Sequence, residues 1–239
     1  MERKEFLRRA LGMATVAPLM AACSRATVEA DTTTSSTSIN PNTTGSCTVT
    51  PSETVGPFPT KSPASWVRKD IRTDRTGVPM TMNITILNKT TNCGALAGAL
   101  VDVWHCDKDG SYSEYGGTGM QSTNYTTVSF LRGRQTTDAS GLAAFTTIFP
   151  GWYGGRAPHI HVHIYNAAGK SLLVTQIAFP KATCDIVYGT ATSFYTKGLQ
   201  DTTNENDNVF RDGFSTELAS ITGSVANGYA LSHTIVVTA

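Results

Sequence analysis

The sequence predicts an all-β fold, an antiparallel β-sandwich with irregular loops and at most short helices. Three observations predict it. Short runs of β-type residues with apolar alternation recur from Asn83 onward. Turn signals rich in Gly, Asp, Asn and Pro separate them. The folded body, residues 47–239, also has a size that one domain of about 50–200 residues can enclose around a single core. Short strands at regular spacing between such turns indicate two packed sheets.

The first run, residues 82–87, alternates well enough for a strand with one buried face. Residues 99–104 form a second, closed by the turn Asp107-Lys108-Asp109-Gly110. The segment Thr136-Thr137-Asp138-Ala139-Ser140-Gly141 is another turn, with Asp138 as its turn residue. Residues 142–149 then form a strand that leads into Pro150-Gly151. Two more strands, 159–165 and 172–179, flank the hairpin loop Asn166-Ala167-Ala168-Gly169. Residues 181–229 are more irregular, with one short helix expected near 214–221, and residues 231–237 form the last strand. Trp104 is expected in the core, and His105 and Cys106 beside it in structural roles.

The first 23 residues have the character of an export signal. Arg3-Lys4-Glu5-Phe6-Leu7-Arg8 supplies a basic segment, and residues 10–22 a short apolar one broken by Pro18. The start resembles a twin-arginine signal with Lys4 in place of the second arginine. Leu19-Met20-Ala21-Ala22-Cys23 resembles a bacterial lipobox, with Met20 where an aliphatic residue is usual. Residues 24–46 are rich in Ser, Thr and Asn and too poor in apolar groups to bury a core, so they are expected to form a tether. The expectation is an exported, cell-envelope protein that meets the membrane only through a lipid on Cys23. Four cysteines follow, Cys47, Cys93, Cys106 and Cys184. An even count in an oxidising compartment predicts two disulfides, in any of three connectivities. No C-x-x-C pair supports a zinc site. The net charge is +1 and no basic stripe is present, which argues against a nucleic-acid partner.

The chemistry lies in Arg156-Ala157-Pro158-His159-Ile160-His161-Val162-His163-Ile164. In a strand, residues i and i+2 share a face, so His159 and His161 project together. Two imidazoles so placed can ligate one metal. His163 lies one step further on the same face and is read as a strand residue rather than a ligand.

Five further patterns accompany the histidines. Trp104, Asp107, Gly110 and Tyr112 make W-x-x-D-x-x-G-x-Y, and Phe145, Pro150, Gly151 and Tyr153 make F-x-x-x-x-P-G-x-Y. Thr175-Gln176 follows, while Thr54, Gly56, Pro57 and Phe58 lie upstream, and Phe130, Arg132, Gly133, Thr137 and Asp138 make F-x-R-G-x-x-x-T-D. Together, from about Glu53 to Phe179, these resemble the intradiol ring-cleavage dioxygenases of the protocatechuate, catechol and hydroxyquinol type. The resemblance implies a transthyretin-like (prealbumin-like) sandwich and a non-haem Fe(III) held by Tyr112, Tyr153, His159 and His161. It implies that Tyr153 and His161 are axial, and that Tyr112 and His159 are equatorial with a hydroxide. It also implies that Arg156 lies over the substrate ring and that Gln176 stands behind the ligands. The substrates would be a small aromatic diol and O2, and the product a cis,cis-muconate-type diacid.

Elementary chemistry agrees with this. Fe(III) is a hard ion that suits phenolate oxygens, and a bound cation can remove a phenol proton despite an ordinary pKa near ~10. The sequence departs from the family at Gly155, where many members carry an aromatic residue, and in the short segment from Tyr153 to His159. Both departures predict a more open pocket. The alternative is a non-catalytic transthyretin-like surface module, which shares the turns and the sandwich. It gives no reason for two tyrosines and two histidines at these offsets. A copper/zinc superoxide dismutase would need more than the five histidines present, and a cupin would need a glutamate after the histidine pair, which residues 162–176 lack.

Overall fold

Strand β1, Pro79–Asn88, alternates exposed and buried residues along its length and places Met80, Met82, Ile84 and Ile86 in the core. The structure is a computed structural model that describes residues 47–239. The expected export signal, the tether and Cys23 lie outside the described residues. Strand β2, Gly94–Ala95, is short, and β3 spans Leu100–Trp104. Strands β4, Arg132–Thr136, and β5, Leu142–Ile148, follow. A hairpin then joins β6, His159–Tyr165, to β7, Ser171–Ala178. Helix α1, Lys181–Thr190, and strands β8, Ser220–Ser224, and β9, Gly228–Val237, complete the chain.

The strands form two sheets. One has the order β2-β1-β9-β8, with β5 also paired to β1, and the other the order β4-β3-β6-β7. The core lies between them, where Met82, Ile84 and Phe145 meet Val101, Val103, Ile160, Val162 and Ile177. His159 and His161 therefore point away from the core. They share the outer face of the second sheet with Trp104 and Gln176, as strand alternation requires.

One pairing departs from the antiparallel expectation. Strand β9 runs parallel to β1, with Met82 opposite Leu231 and Ile86 opposite Ile235. Alternation states which face is buried, and either strand direction satisfies it. The helix is also elsewhere than expected. Residues 214–219 form turns and a bridge, and Ser220–Ser224 is an edge strand. The helix is instead Lys181–Thr190, which buries Cys184, Val187 and Tyr188 at helical spacing. Among the described residues no helix is long and apolar enough to cross a membrane.

The expectation of two disulfides is corrected. Cys47 pairs with Cys93 at a Cα separation of 5.9 Å, but Cys106 and Cys184 are free and buried. Cys106 lies at the end of β3 with Phe58, Trp104 and Tyr112, while Cys184 lies on the core face of α1. Each thiol is enclosed by its own apolar surroundings, and burial pushes both thiols up, which keeps them protonated and inert. Thiol titration of denatured, unreduced residues 47–239 should find two reactive groups. Zero or four would contradict the pairing. Replacing Cys47 and Cys93 by serine should cost ~2–4 kcal/mol in denaturant unfolding.

Candidate metal centre

Tyr112 and Tyr153 come from separate loops that glycine interlocks. The Asp107 carboxylate accepts the amides of Asp109 and Ser111, which closes the turn before Tyr112. The Asp107 carbonyl accepts the amide of Gly151 at 3.1 Å. A Cβ on Gly151 would stand 2.5 Å from the carbonyl oxygens of Asp107 and Lys108. Only glycine allows this approach, so the D-x-x-G and P-G-x-Y patterns encode one joint that places two phenols side by side. Their ring centroids are 5.8 Å apart.

The histidines meet these phenols from β6. The Nδ1–H of His159 donates to the Ala157 carbonyl at 2.6 Å, since that carbonyl can only accept. This leaves the Nε2 lone pair facing the phenols. That nitrogen lies 3.3 Å from the Tyr112 hydroxyl, 3.4 Å from the Tyr153 hydroxyl and 3.2 Å from His161 Nε2. Donors about 2.0–2.2 Å from one ion and roughly at right angles stand about 3 Å apart, so these separations fit a shared metal. Among the described residues no three His, Cys, Asp or Glu side chains form a metal-holding group; this cluster needs its tyrosines.

Burial sets the protonation of the cluster. It pulls His161 well below the usual imidazole range and His159 down to about 3, with the Arg156 charge adding to the effect on His159. Both rings are therefore neutral and offer lone pairs. Burial also raises the Tyr112 phenol well above its ordinary value, and the Tyr153 phenol rises for the same reason while Arg156 opposes it. A buried cation reverses this preference, because it supplies the countercharge that the phenolates lack. The donor set thus fits a hard, highly charged ion.

The surroundings come from a row across four strands. Arg132 on β4 pairs with Trp104 on β3, Trp104 with His161 on β6, and His161 with Gln176 on β7. Trp104 is buried in a core cluster, as expected, with Phe58, Cys106 and Tyr112 on the outer face of this sheet, and stacks on His161 with ring centroids 4.9 Å apart. Gly56 covers His161 from the other direction. Its φ is +72°, and a Cβ there would meet the His161 ring at 2.8 Å. Phe58 stacks on Tyr112 at 4.9 Å.

Arg156 donates to the Gln176 carbonyl oxygen at 2.6 Å, and its Nη1 lies 3.5 Å from the Tyr153 hydroxyl. Gln176 donates to the Thr54 carbonyl at 2.9 Å. All six residues named from the sequence thus lie in one neighbourhood. His163 stays apart, bonded to Ser171 and Tyr165. His105 is a structural residue, bonded to the Cys106 carbonyl and Thr147. Two residues at the site escaped the sequence reading. Asp207 pairs with Arg156 at 2.8 Å, and Arg132 anchors the loops beside Tyr112. Asp207 carries no motif; Arg132 stood in a quoted pattern, but nothing there revealed its burial.

The sequence matches the family described as Dioxygenase over residues 58–214. An intradiol ring-cleavage dioxygenase from Tetranychus urticae shares 27% identity and a TM-score of 0.71, over 80% of this chain and 95% of that one. The dioxygenase domain of a dioxygenase and carbohydrate-binding protein fusion from Streptomyces sp. SirexAA-E shares 26% identity and a TM-score of 0.57, over 80% and 99%. A catechol 1,2-dioxygenase from Acinetobacter lwoffii is 27% identical over 121 residues, which span 43% of this chain and only 37% of that relative. Fold and match together define a β-sandwich dioxygenase. The chain belongs to the intradiol ring-cleavage dioxygenase family.

Proposed function

We propose that this protein cleaves a catechol-type aromatic diol with O2, between the two hydroxylated carbons, to give a cis,cis-muconate-type diacid. The observation that carries this is the convergence of the Tyr112 hydroxyl, the Tyr153 hydroxyl and His161 Nε2, each within 3.2–3.4 Å of His159 Nε2. These residues would hold a non-haem Fe(III), which supplies the positive charge that favours phenolates and activates a bound diol towards O2.

The protein's own groups divide the remaining work. Tyr112 is fully buried, whereas Tyr153 is partly exposed. Tyr153 is therefore the phenol free to move, and as a phenolate its oxygen accepts a proton from the incoming diol. Arg156 Nη1 lies beside that oxygen and offsets negative charge as it develops. Gln176 holds the guanidinium through its carbonyl oxygen. Gly155 has φ +80° and open space where a side chain would stand, and a Cβ on Gly154 would touch only Asp201 at 3.4 Å. The open wall favours bulky or substituted catechols.

We also propose that the protein works outside the cytoplasm, anchored by a lipid on Cys23. The Cys47–Cys93 disulfide supports this, because such bonds persist in oxidising compartments. The test of function is oxygen uptake by iron-loaded protein on catechol, protocatechuate, hydroxyquinol and larger lignin-type catechols, with products identified by mass. Diacids retaining both oxygen atoms are expected. Yellow semialdehydes, or no uptake by a red, iron-replete protein, would overturn the reading.

A further inference from the structure

Arg156 is a long, flexible side chain, and its usefulness at Tyr153 depends on what holds it. Three groups do. Gln176 accepts from Nη2, Phe210 packs 5.9 Å beneath the guanidinium, and Asp207 accepts from Nε at 2.8 and 3.1 Å. Asp207 differs from the other two because it carries the countercharge and has a backbone amide at each of its oxygens. It is fully buried, its Oδ2 accepts the Ala157 amide at 2.6 Å, and its Oδ1 accepts the Val209 amide at 2.7 Å. The carboxylate is thus fixed at both oxygens by backbone before the arginine arrives.

We infer that Asp207 is a positioning residue of the ring-cleavage site, which fixes Arg156 so that Nη1 stays at the Tyr153 hydroxyl. This rests on the function proposed above. A guanidinium on a long stem loses rotamer freedom when ordered, and a fixed partner removes that cost from the reaction itself. Asp207 has a second reach. Ala157, whose amide it holds, offers its carbonyl to His159 Nδ1. One carboxylate on the loop after Asn204–Asn206 therefore orders the charged group and steadies the orientation of a metal-facing ring. Only a carboxylate suits this place. Asparagine would turn an NH2 towards either the Ala157 or the Val209 amide, so neither rotamer relieves the clash of donors.

The test is a double-mutant cycle of Asp207→Asn and Arg156→Met on iron-loaded protein. Each single variant should lower kcat/KM by roughly 10- to 100-fold, mainly through kcat, because the charge aids the transition state. The double variant should fall within about 3-fold of the worse single variant, since both changes remove one interaction. Losses that multiply, or Asp207→Asn within about 3-fold of wild type, would overturn the inference. If Asp207→Asn does not fold, Asp207→Glu carries the test. It keeps the charge and moves it by one methylene, so a loss of about 10-fold or more supports positioning, and activity near wild type refutes it. If the wild-type protein cleaves no diol, the functional reading fails on its own. The cycle is then read on urea midpoints of iron-free protein, where non-additive losses support the Asp207–Arg156 coupling and additive losses reject it.

Discussion

Replacing His161 with alanine is expected to strip the protein of iron and visible colour and to abolish ring cleavage. The His161 ring is held between Gly56 and Trp104 and is fully enclosed, with its Nε2 3.2 Å from that of His159. Its removal leaves two phenols and one imidazole. Those phenols are held protonated by burial, so the remaining site must give up protons with less help from a bound charge. The loss of affinity should exceed the roughly 10- to 100-fold typical of changes outside the ligands themselves. Metal content by mass spectrometry and the visible absorption of purified protein measure it. His163→Ala is the internal control. That ring bonds Ser171 and Tyr165 and lies beyond the cluster, so the variant should keep its iron and colour. Equal iron loss in both variants would contradict the assignment.

The largest loss of stability should come from Arg132→Met. Arg132 is fully buried, and burial pulls its guanidinium down to about 10 while Glu114 opposes the shift. It donates to the Phe58 carbonyl at 2.9 Å, to the Ser113 carbonyl at 2.6 Å, and to the hydroxyls of Ser113 and Thr60. Glu114 lies 3.4 Å away as its countercharge. Methionine fills much of the volume but leaves the Phe58 and Ser113 carbonyls without this donor, and leaves Glu114, which the Lys61 amide and the Trp66 indole still bond, without its countercharge. Breaking a buried pair in this way costs about 3–5 kcal/mol. In a domain of this size that corresponds to a Tm lower by roughly 6–20 °C. Lysine should rescue little, because a single ammonium cannot reproduce the guanidinium fork. Urea unfolding with two spectroscopic probes decides it, and a cost below about 1 kcal/mol would show that the network is dispensable. Metal affinity should fall as well, since the same network holds Phe58 against Tyr112 and the backbone beside it.

The sequence reveals strands and joints more readily than partners. Residues 159–165 alternate so strictly that the strand and its outward histidines follow from period alone, and the observed strand is His159–Tyr165. The glycine joint was visible as two motifs because close backbone approach demands glycine at a fixed offset. The helix was misplaced because Thr183, Ile186, Val187 and Tyr188 are residues of middling helix propensity, and burial of one face overrides that preference. The cysteine pairing was open because three connectivities satisfy the count equally, and only the folded path brings Cys47 to Cys93.

By itself the sequence determined an all-β sandwich, its turns, and which side chains of each strand turn outward, because these depend on local periodicity and on what glycine permits. It also carried, as a resemblance, the two tyrosines, two histidines, arginine and glutamine of the centre. Tertiary structure decided the rest. It ran β9 parallel to β1, aligned Arg132, Trp104, His161 and Gln176 in one row, and brought Asp207 across 51 residues to Arg156. The physical reason is that a buried charge finds its partner through space. No local rule relates the chain positions of two groups whose pairing is set by shared exclusion from water.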